Sequence, residues 1–164
     1  MGATEIRSLS EGDWPAVFAI FQAVVAEGDT YAYPDGLTSD EAHALWVASP
    51  PDCTVVALRD DVLLGTAKYG PNRPSRGAHI STASFMVSTE SRGTGVGRAL
   101  CEFVIARARE SGYAGMQFNA VVSTNSSAIA LYRTLGFVTI GTVPGAFDHV
   151  TLGPVGLDIM FLEF

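Results

Sequence analysis

Residues 85–100 read Phe-Met-Val-Ser-Thr-Glu-Ser-Arg-Gly-Thr-Gly-Val-Gly-Arg-Ala-Leu. A β-prone apolar run ends at Val87, a short polar stretch follows, and an amphipathic pattern begins directly after the glycines at 93, 95 and 97. The spacing predicts a strand, a tight glycine loop and a helix N-terminus in immediate succession. Glycines at alternate positions let the main chain turn sharply and come close to a ligand, because no Cβ stands in the way. The first amides of such a helix have no intrahelical acceptor and sit at the positive end of the helix dipole, so the loop suits a phosphate.

The spacing narrows the choice of phosphate ligand. A nucleotide P-loop needs Gly-x-x-x-x-Gly-Lys-Ser/Thr, but Gly97 is followed by Arg98 and Ala99. A dinucleotide fingerprint needs Gly-x-Gly-x-x-Gly. Counted from Gly93 the sixth residue is Arg98, and from Gly95 it is Leu100. What remains is Arg-x-x-Gly-x-Gly, met by Arg92, Gly95 and Gly97. This resembles the acyl-CoA pyrophosphate loop of the GCN5-related N-acetyltransferases. The resemblance implies that Arg92, Gly93, Thr94, Gly95, Val96, Gly97 and Arg98 hold the diphosphate of acetyl-CoA. It also implies that Phe85, Met86 and Val87 line the cofactor's arm, which pairs like an added strand at Met86 and Val87.

A second segment carries the same resemblance. In Asn125-Ser-Ser-Ala-Ile-Ala-Leu-Tyr-Arg-Thr-Leu-Gly-Phe137, Asn125 is a good helix N-cap. Ala128, Leu131, Tyr132 and Leu135 fall on one helical face, and Gly136 is placed to end the helix in a left-handed conformation. The resemblance implies that Asn125, Ser127 and Tyr132 complete the cofactor site, with Tyr132 beside the thioester sulfur. It covers residues 55–164 well and the N-terminal third in general layout.

Composition sets the bounds. The chain has 164 residues, 48% of them hydrophobic, and a formal charge of −7. One domain spanning 1–164 is expected, and a domain of this size buries about two-thirds of its unfolded surface without a disulfide or metal staple. With only ten Lys+Arg and no basic stripe, nucleic acid is not an expected partner. No apolar run is long enough for a membrane helix, and the first residues lack a secretory pattern, so a cytoplasmic protein is expected. Cys53 and Cys101 have no metal-ligand spacing and read as buried free thiols in a reducing compartment.

Strands are expected over 4–9, 53–59, 62–69, 78–88, 115–121, 137–143 and 155–163. Helices are expected after Asp13 to Gly28, from Thr38 or Ser39 to Trp46, from Gly95 to Glu110, and over 125–135. Asp13 reads as the cap of the first helix, Asp60-Asp61 as a hairpin turn, and 144–154 as an irregular loop. The order matches the family and implies an α/β (α+β) fold, a mixed, mostly antiparallel seven-stranded sheet flanked by about four helices.

The chemistry implied is attack of an amine on a thioester carbonyl in a ternary complex. Developing negative charge is best met by a preorganised donor, and the resemblance gives that role to the Val87 N–H. Tyr132, a phenol and hence a donor at neutral pH, is assigned to the leaving sulfur. Many relatives carry a glutamate on the strand before the glycine loop, whereas this chain has Ser81-Thr82-Ala83-Ser84-Phe85. The base stays open among His79, Asp29, Asp35, Asp148, Asp158 and a water chain.

Tyr31, Tyr33, Ser84 and Asn119 are the expected acceptor-binding residues, with Asn119 also assigned to catalysis. The run Phe118-Asn119-x-Val121-x-x-Thr124-Asn125, then Gly141-x-Val143-Pro144 and the late Asp158, is similar to proline-analogue N-acetyltransferases. The Thr30-Tyr31 loop resembles that of phosphinothricin and amino-acid N-acetyltransferases. A small amino acid or analogue is therefore the expected acceptor and a homodimer the expected assembly. A protein or peptide N-acetyltransferase and a non-catalytic acyl-CoA-binding module stay as alternatives.

Overall fold

The computed structural model describes residues 2–164. Eleven regular elements follow in order: β1 (Glu5–Ser8), α1 (Trp14–Glu27), α2 (Ser39–Trp46), β2 (Cys53–Arg59), β3 (Val62–Pro71), β4 (Ile80–Val87), α3 (Val96–Glu110), β5 (Gly115–Val122), α4 (Ser126–Thr134), β6 (Val138–His149) and β7 (Gly153–Glu163). The strands form one sheet in the order β1-β2-β3-β4-β5-β7-β6. Every neighbouring pair is antiparallel except β4 and β5.

Helices cover both faces. On one, α3 presents Val96, Leu100 and Val104 at four-residue spacing, all fully buried against β2, β3 and β5. Truncating such a side chain, as in Leu100→Ala, costs about 2–5 kcal/mol through lost transfer energy and the cavity left behind. On the other face, Val17, Phe21 and Val24 of α1 pack with Trp46 of α2 and with Val56 and Met86 of the sheet. The Trp46 indole N–H donates to Thr66 Oγ1 at 3.0 Å, and Thr66 passes a hydrogen bond to the Val55 carbonyl at 2.9 Å. The polar edge of the largest buried side chain is thereby satisfied.

The one parallel pairing decides where a ligand fits. β4 and β5 are hydrogen-bonded only around Ile80–Gly115 and Ser81–Met116, and then the strands part. On its other side β4 is paired with β3 throughout, with Ser88 N–H donating to Leu64 and Asn72 N–H to Ile80. Antiparallel pairing alternates, so Met86, Ser84 and Thr82 turn their main-chain groups towards β3, and Val87, Phe85 and Ala83 turn theirs into the gap.

Four expectations need correction. Residues 144–154 do not form an irregular loop: β6 and β7 make one long hairpin, with only Val150–Leu152 in the turn. Pro144 is tolerated because β6 is the sheet edge, where a missing N–H faces solvent. The register slips between Val143 and Phe147, and that bulge absorbs Pro144-Gly145. Asp13 does not cap α1. A short 3-10 turn, Glu11–Asp13, precedes the helix, and Asp13 instead takes both guanidinium nitrogens of Arg7, at 2.7 and 2.8 Å. Cys53 opens β2 at its exposed end, while Cys101 is buried. Met86 has a buried side chain and main-chain groups committed to Thr66 of β3, so strand pairing in the gap falls to Phe85 and Val87.

Candidate functional site

The gap between β4 and β5 opens into a cleft of about 860 Å³ that runs from the glycine loop to the tip of the β6–β7 hairpin. At one end lies the loop. Gly95 is the N-cap of α3 with φ 89°, and Gly93 has φ 74°, both in the left-handed region that favours glycine. A Cβ built on either would meet nothing within 4 Å. The loop is thus held open by its backbone, not by crowding. The first bond of α3 runs from Ala99 N–H to the Gly95 carbonyl, which leaves the Val96, Gly97 and Arg98 amides without intrahelical acceptors, Gly97 and Arg98 lining the cleft. This cradle of open amides at a helix end fits a diphosphate.

The two arginines assigned to that phosphate are engaged elsewhere. Arg92 pairs with Glu27, from the end of α1, at 2.6 Å. Arg98 donates to Thr134 of α4 at 2.9 Å and to Glu102 at 3.3 Å. Thr94 turns its hydroxyl back to the Ser91 carbonyl at 2.7 Å. On the opposite wall Asn125 caps α4 by accepting from the Ala128 N–H at 3.2 Å, as its position predicts, and Ser127 donates to the same Asn125 oxygen at 3.2 Å.

Tyr132 stands mid-cleft. Phe118 holds its ring at 4.5 Å between centroids, and Phe137 and Phe85 lie farther round the same ring at 5.9 and 6.4 Å. Burial raises the phenol well above its ordinary range, with Cys101 and Tyr31 adding to the effect, so it stays a protonated donor. No hydrogen bond engages that hydroxyl among the described residues, although the residue lines the cleft. A donor without a partner beside the open β4 edge is available to a ligand atom.

The other end is built from side chains of distant segments. Asp29, Thr30, Tyr31 and Tyr33 come from the α1–α2 connection, Ser84 from β4, Asn119 from β5, and Phe147 and His149 from β6. Tyr31 stacks on Tyr33 with centroids 5.6 Å apart and rings 4° from parallel, and reaches the main chain of Phe85. Burial also raises the Tyr31 phenol. Asn119 has both ends of its amide in use, accepting from Gln117 at 2.9 Å and donating to Asn72 at 2.6 Å. It sits in the bulge of β5 between Phe118 and Val121, where β7 supplies fewer partners. Asp29 Oδ1 and Thr30 Oγ1 are buried without partners, a state that costs about 1–3 kcal/mol per group.

Of the five candidate bases, Asp29 lines the cleft, while His79, Asp35, Asp148 and Asp158 do not. Asp158 is buried in the sheet and accepts from Thr142 at 2.6 Å. His149, unforeseen from the sequence, lines the cleft with its Nδ1 accepting the Thr151 N–H at 3.2 Å. The hairpin tip that carries it is tied to α1: the Val150 N–H donates to the Gly28 carbonyl at 3.1 Å.

Residues 13–137 match the acetyltransferase (GNAT) family. A GCN5-related N-acetyltransferase from Kribbella flavida is 47% identical and superimposes with a TM-score of 0.95 over 99% of this chain and 98% of its own. The L-methionine sulfoximine/L-methionine sulfone acetyltransferase of Pseudomonas paraeruginosa is 32% identical over 148 residues, 87% of this chain and 84% of its own length. The yncA protein from Salmonella typhimurium, solved with its cofactor acetyl-CoA, is 25% identical with a TM-score of 0.81, over 98% of this chain and 94% of its own. Two yeast relatives, N-acetyltransferase aca1 and Protein SPT10, match about half of this chain, which spans 40% and 13% of their lengths.

Proposed function

Because the chain belongs to the acetyltransferase (GNAT) family, we propose that it transfers an acetyl group from acetyl-CoA to the amine of a small amino acid or analogue. The observation that carries this reading is the juxtaposition along one cleft of three things. They are a glycine loop with open amides, a strand edge with its Val87 N–H turned into the gap, and a partnerless, protonated Tyr132 hydroxyl.

The roles follow from that arrangement. Amides at the start of α3 hold the diphosphate, with backbone donors doing what the acidic surface of the chain disfavours at long range. The N–H groups of Val87 and Phe85, both turned into the gap, are the donors offered to the acyl arm and to the thioester oxygen as it gains charge. Tyr132 donates to the departing sulfur. Asp29, the candidate base on the cleft wall, takes the proton of the acceptor's ammonium. Tyr31, Tyr33, Ser84 and Asn119, with His149, bound the acceptor.

The reading extends to the setting of the molecule. Two free thiols support a reducing, cytoplasmic compartment. The edge strand β6, with Val138, Ile140 and Val143 exposed, supports pairing of two copies, which sedimentation would detect. Among the described residues no helix is long and apolar enough to cross a membrane.

The test is thiol release from acetyl-CoA with a panel of free amino acids, methionine sulfoximine and phosphinothricin included, against peptides bearing free N-termini or lysines. Turnover with free amino acids or analogues is expected. Turnover confined to peptides would reject the acceptor class, and acetyl-CoA binding with no turnover would reduce the protein to a binding module.

A further inference from the structure

Tyr31 occupies the very groups of β4 that the gap leaves open. Its hydroxyl oxygen accepts the Phe85 N–H at 3.0 Å, and its proton goes to the Phe85 carbonyl at 2.7 Å. One phenol thus does for Phe85 what the amide of a neighbouring strand would do. β5 does not reach this position, because its pairing with β4 stops at Ser81. Behind the contact, the Tyr31 ring rests on Tyr33 and on the edge of Trp46, 6.1 Å away. Just before it in sequence, Asp29 Oδ1 and Thr30 Oγ1 are buried and unpaired. The segment 29–31 therefore has one phenol doubly satisfied and two side-chain oxygens without partners, on the wall of the same cleft. Buried oxygens without partners mark a segment whose hydrogen bonding is completed by something else.

We propose that Tyr31 is a built-in competitor for the strand edge on which the arm of acyl-CoA pairs. The acyl arm with its thioester and the Tyr31 phenol compete for the main-chain groups of Phe85, so seating of the arm in the gap expels the phenol. Release of Tyr31 frees the segment that carries Asp29 and Thr30 and turns their oxygens towards the acceptor's amine. The acceptor site is completed by the same exchange that seats the carrier. This inference rests on the acyl-CoA reading above.

The experiment compares wild type and Tyr31→Phe by calorimetry with three probes: CoA, acetyl-CoA and adenosine 3′,5′-bisphosphate, which has the nucleotide end and no arm. The variant keeps the ring that stacks on Tyr33 and lacks only the competing hydroxyl. CoA and acetyl-CoA are expected to bind about 3- to 10-fold more tightly to the variant, the range for one or two net hydrogen bonds, and the bisphosphate equally to both. Equal or weaker binding of CoA to a variant that holds the bisphosphate normally overturns the competition. Failure of wild type to bind any of the three rejects the acyl-CoA reading instead, and this inference with it. A crystal structure of the wild-type protein with CoA is the second measurement and needs no variant. The Tyr31 hydroxyl is expected beyond hydrogen-bond distance of Phe85, and a phenol still on Phe85 with the arm seated in the gap would overturn the proposal.

Discussion

The two ends of the cleft are made in opposite ways. At the glycine loop the working groups are main-chain amides, fixed by two left-handed glycines and the start of α3, within a dozen consecutive residues. At the other end, which we assign to the acceptor, the lining groups are side chains from the α1–α2 connection, β4, β5 and β6, brought together only by the finished sheet. A backbone site tolerates change in the side chains around it, and the structure uses that freedom: Arg92 and Arg98 bind Glu27 and Thr134. A side-chain site has no such reserve, since each wall residue is the sole source of its functional group.

The sharpest way to break this contrast is to put a side chain into the backbone site. Gly95→Asp is expected to lower acetyl-CoA affinity by at least 100-fold in calorimetry, since a carboxylate would stand where phosphate sits and a left-handed residue adds about 1–2 kcal/mol of strain. Unchanged affinity in a folded variant would end the assignment of the loop. At the other end, Asp29→Asn should cut kcat about 100-fold, the contribution typical of a positioned base, with little change in acetyl-CoA binding. An unchanged kcat would pass the proton to solvent.

Between the two ends, Tyr132→Phe should lower kcat by about 10-fold while the Kd for acetyl-CoA stays within about 2-fold. Equal losses in both would make Tyr132 a packing residue. Because burial holds that phenol protonated well beyond its ordinary range, its donation should persist from neutral pH to about pH 10, and loss of a proton from Tyr132 should not bend the rate profile there.

Smaller effects probe the surroundings. Glu27→Gln releases Arg92 towards the loop and should tighten acetyl-CoA binding about 2- to 3-fold, in keeping with the weak energy of an exposed pair. Cys101, its thiol pushed up to about 12 by burial, should resist thiol reagents that modify exposed Cys53. One thiol is then titrated in the native protein and two after unfolding.

This asymmetry also decides what could be read from the chain. The glycine loop, the Asn125 cap and the left-handed stop at Gly136 are local devices, and their residues announce them. Pro144-Gly145 read as a loop because a breaker signal does not tell an edge strand from a turn. Only the sheet order shows that β6 has a free side on which proline is harmless. Asp13 carried the right signal for a cap, but Arg7, six residues earlier and on a strand, takes its carboxylate and holds it well below the usual carboxylate range. His149 had no local signal at all, since what makes it a wall residue is the docking of a hairpin tip on α1. Tyr31 is expected from its loop on the acceptor side and lines the cleft, whereas its reach across 54 positions to Phe85 depends on how α1 lies over the sheet.

The bond from Val150 to Gly28 joins the turn between β6 and β7 to the end of α1, far away in sequence. A chain emerging from the ribosome completes α1, the glycine loop and α4 before the strand that closes the far wall exists. The wall that carries His149 is therefore enclosed only after those elements are made, and shortening the hairpin by a few residues at its tip would leave a door without a frame.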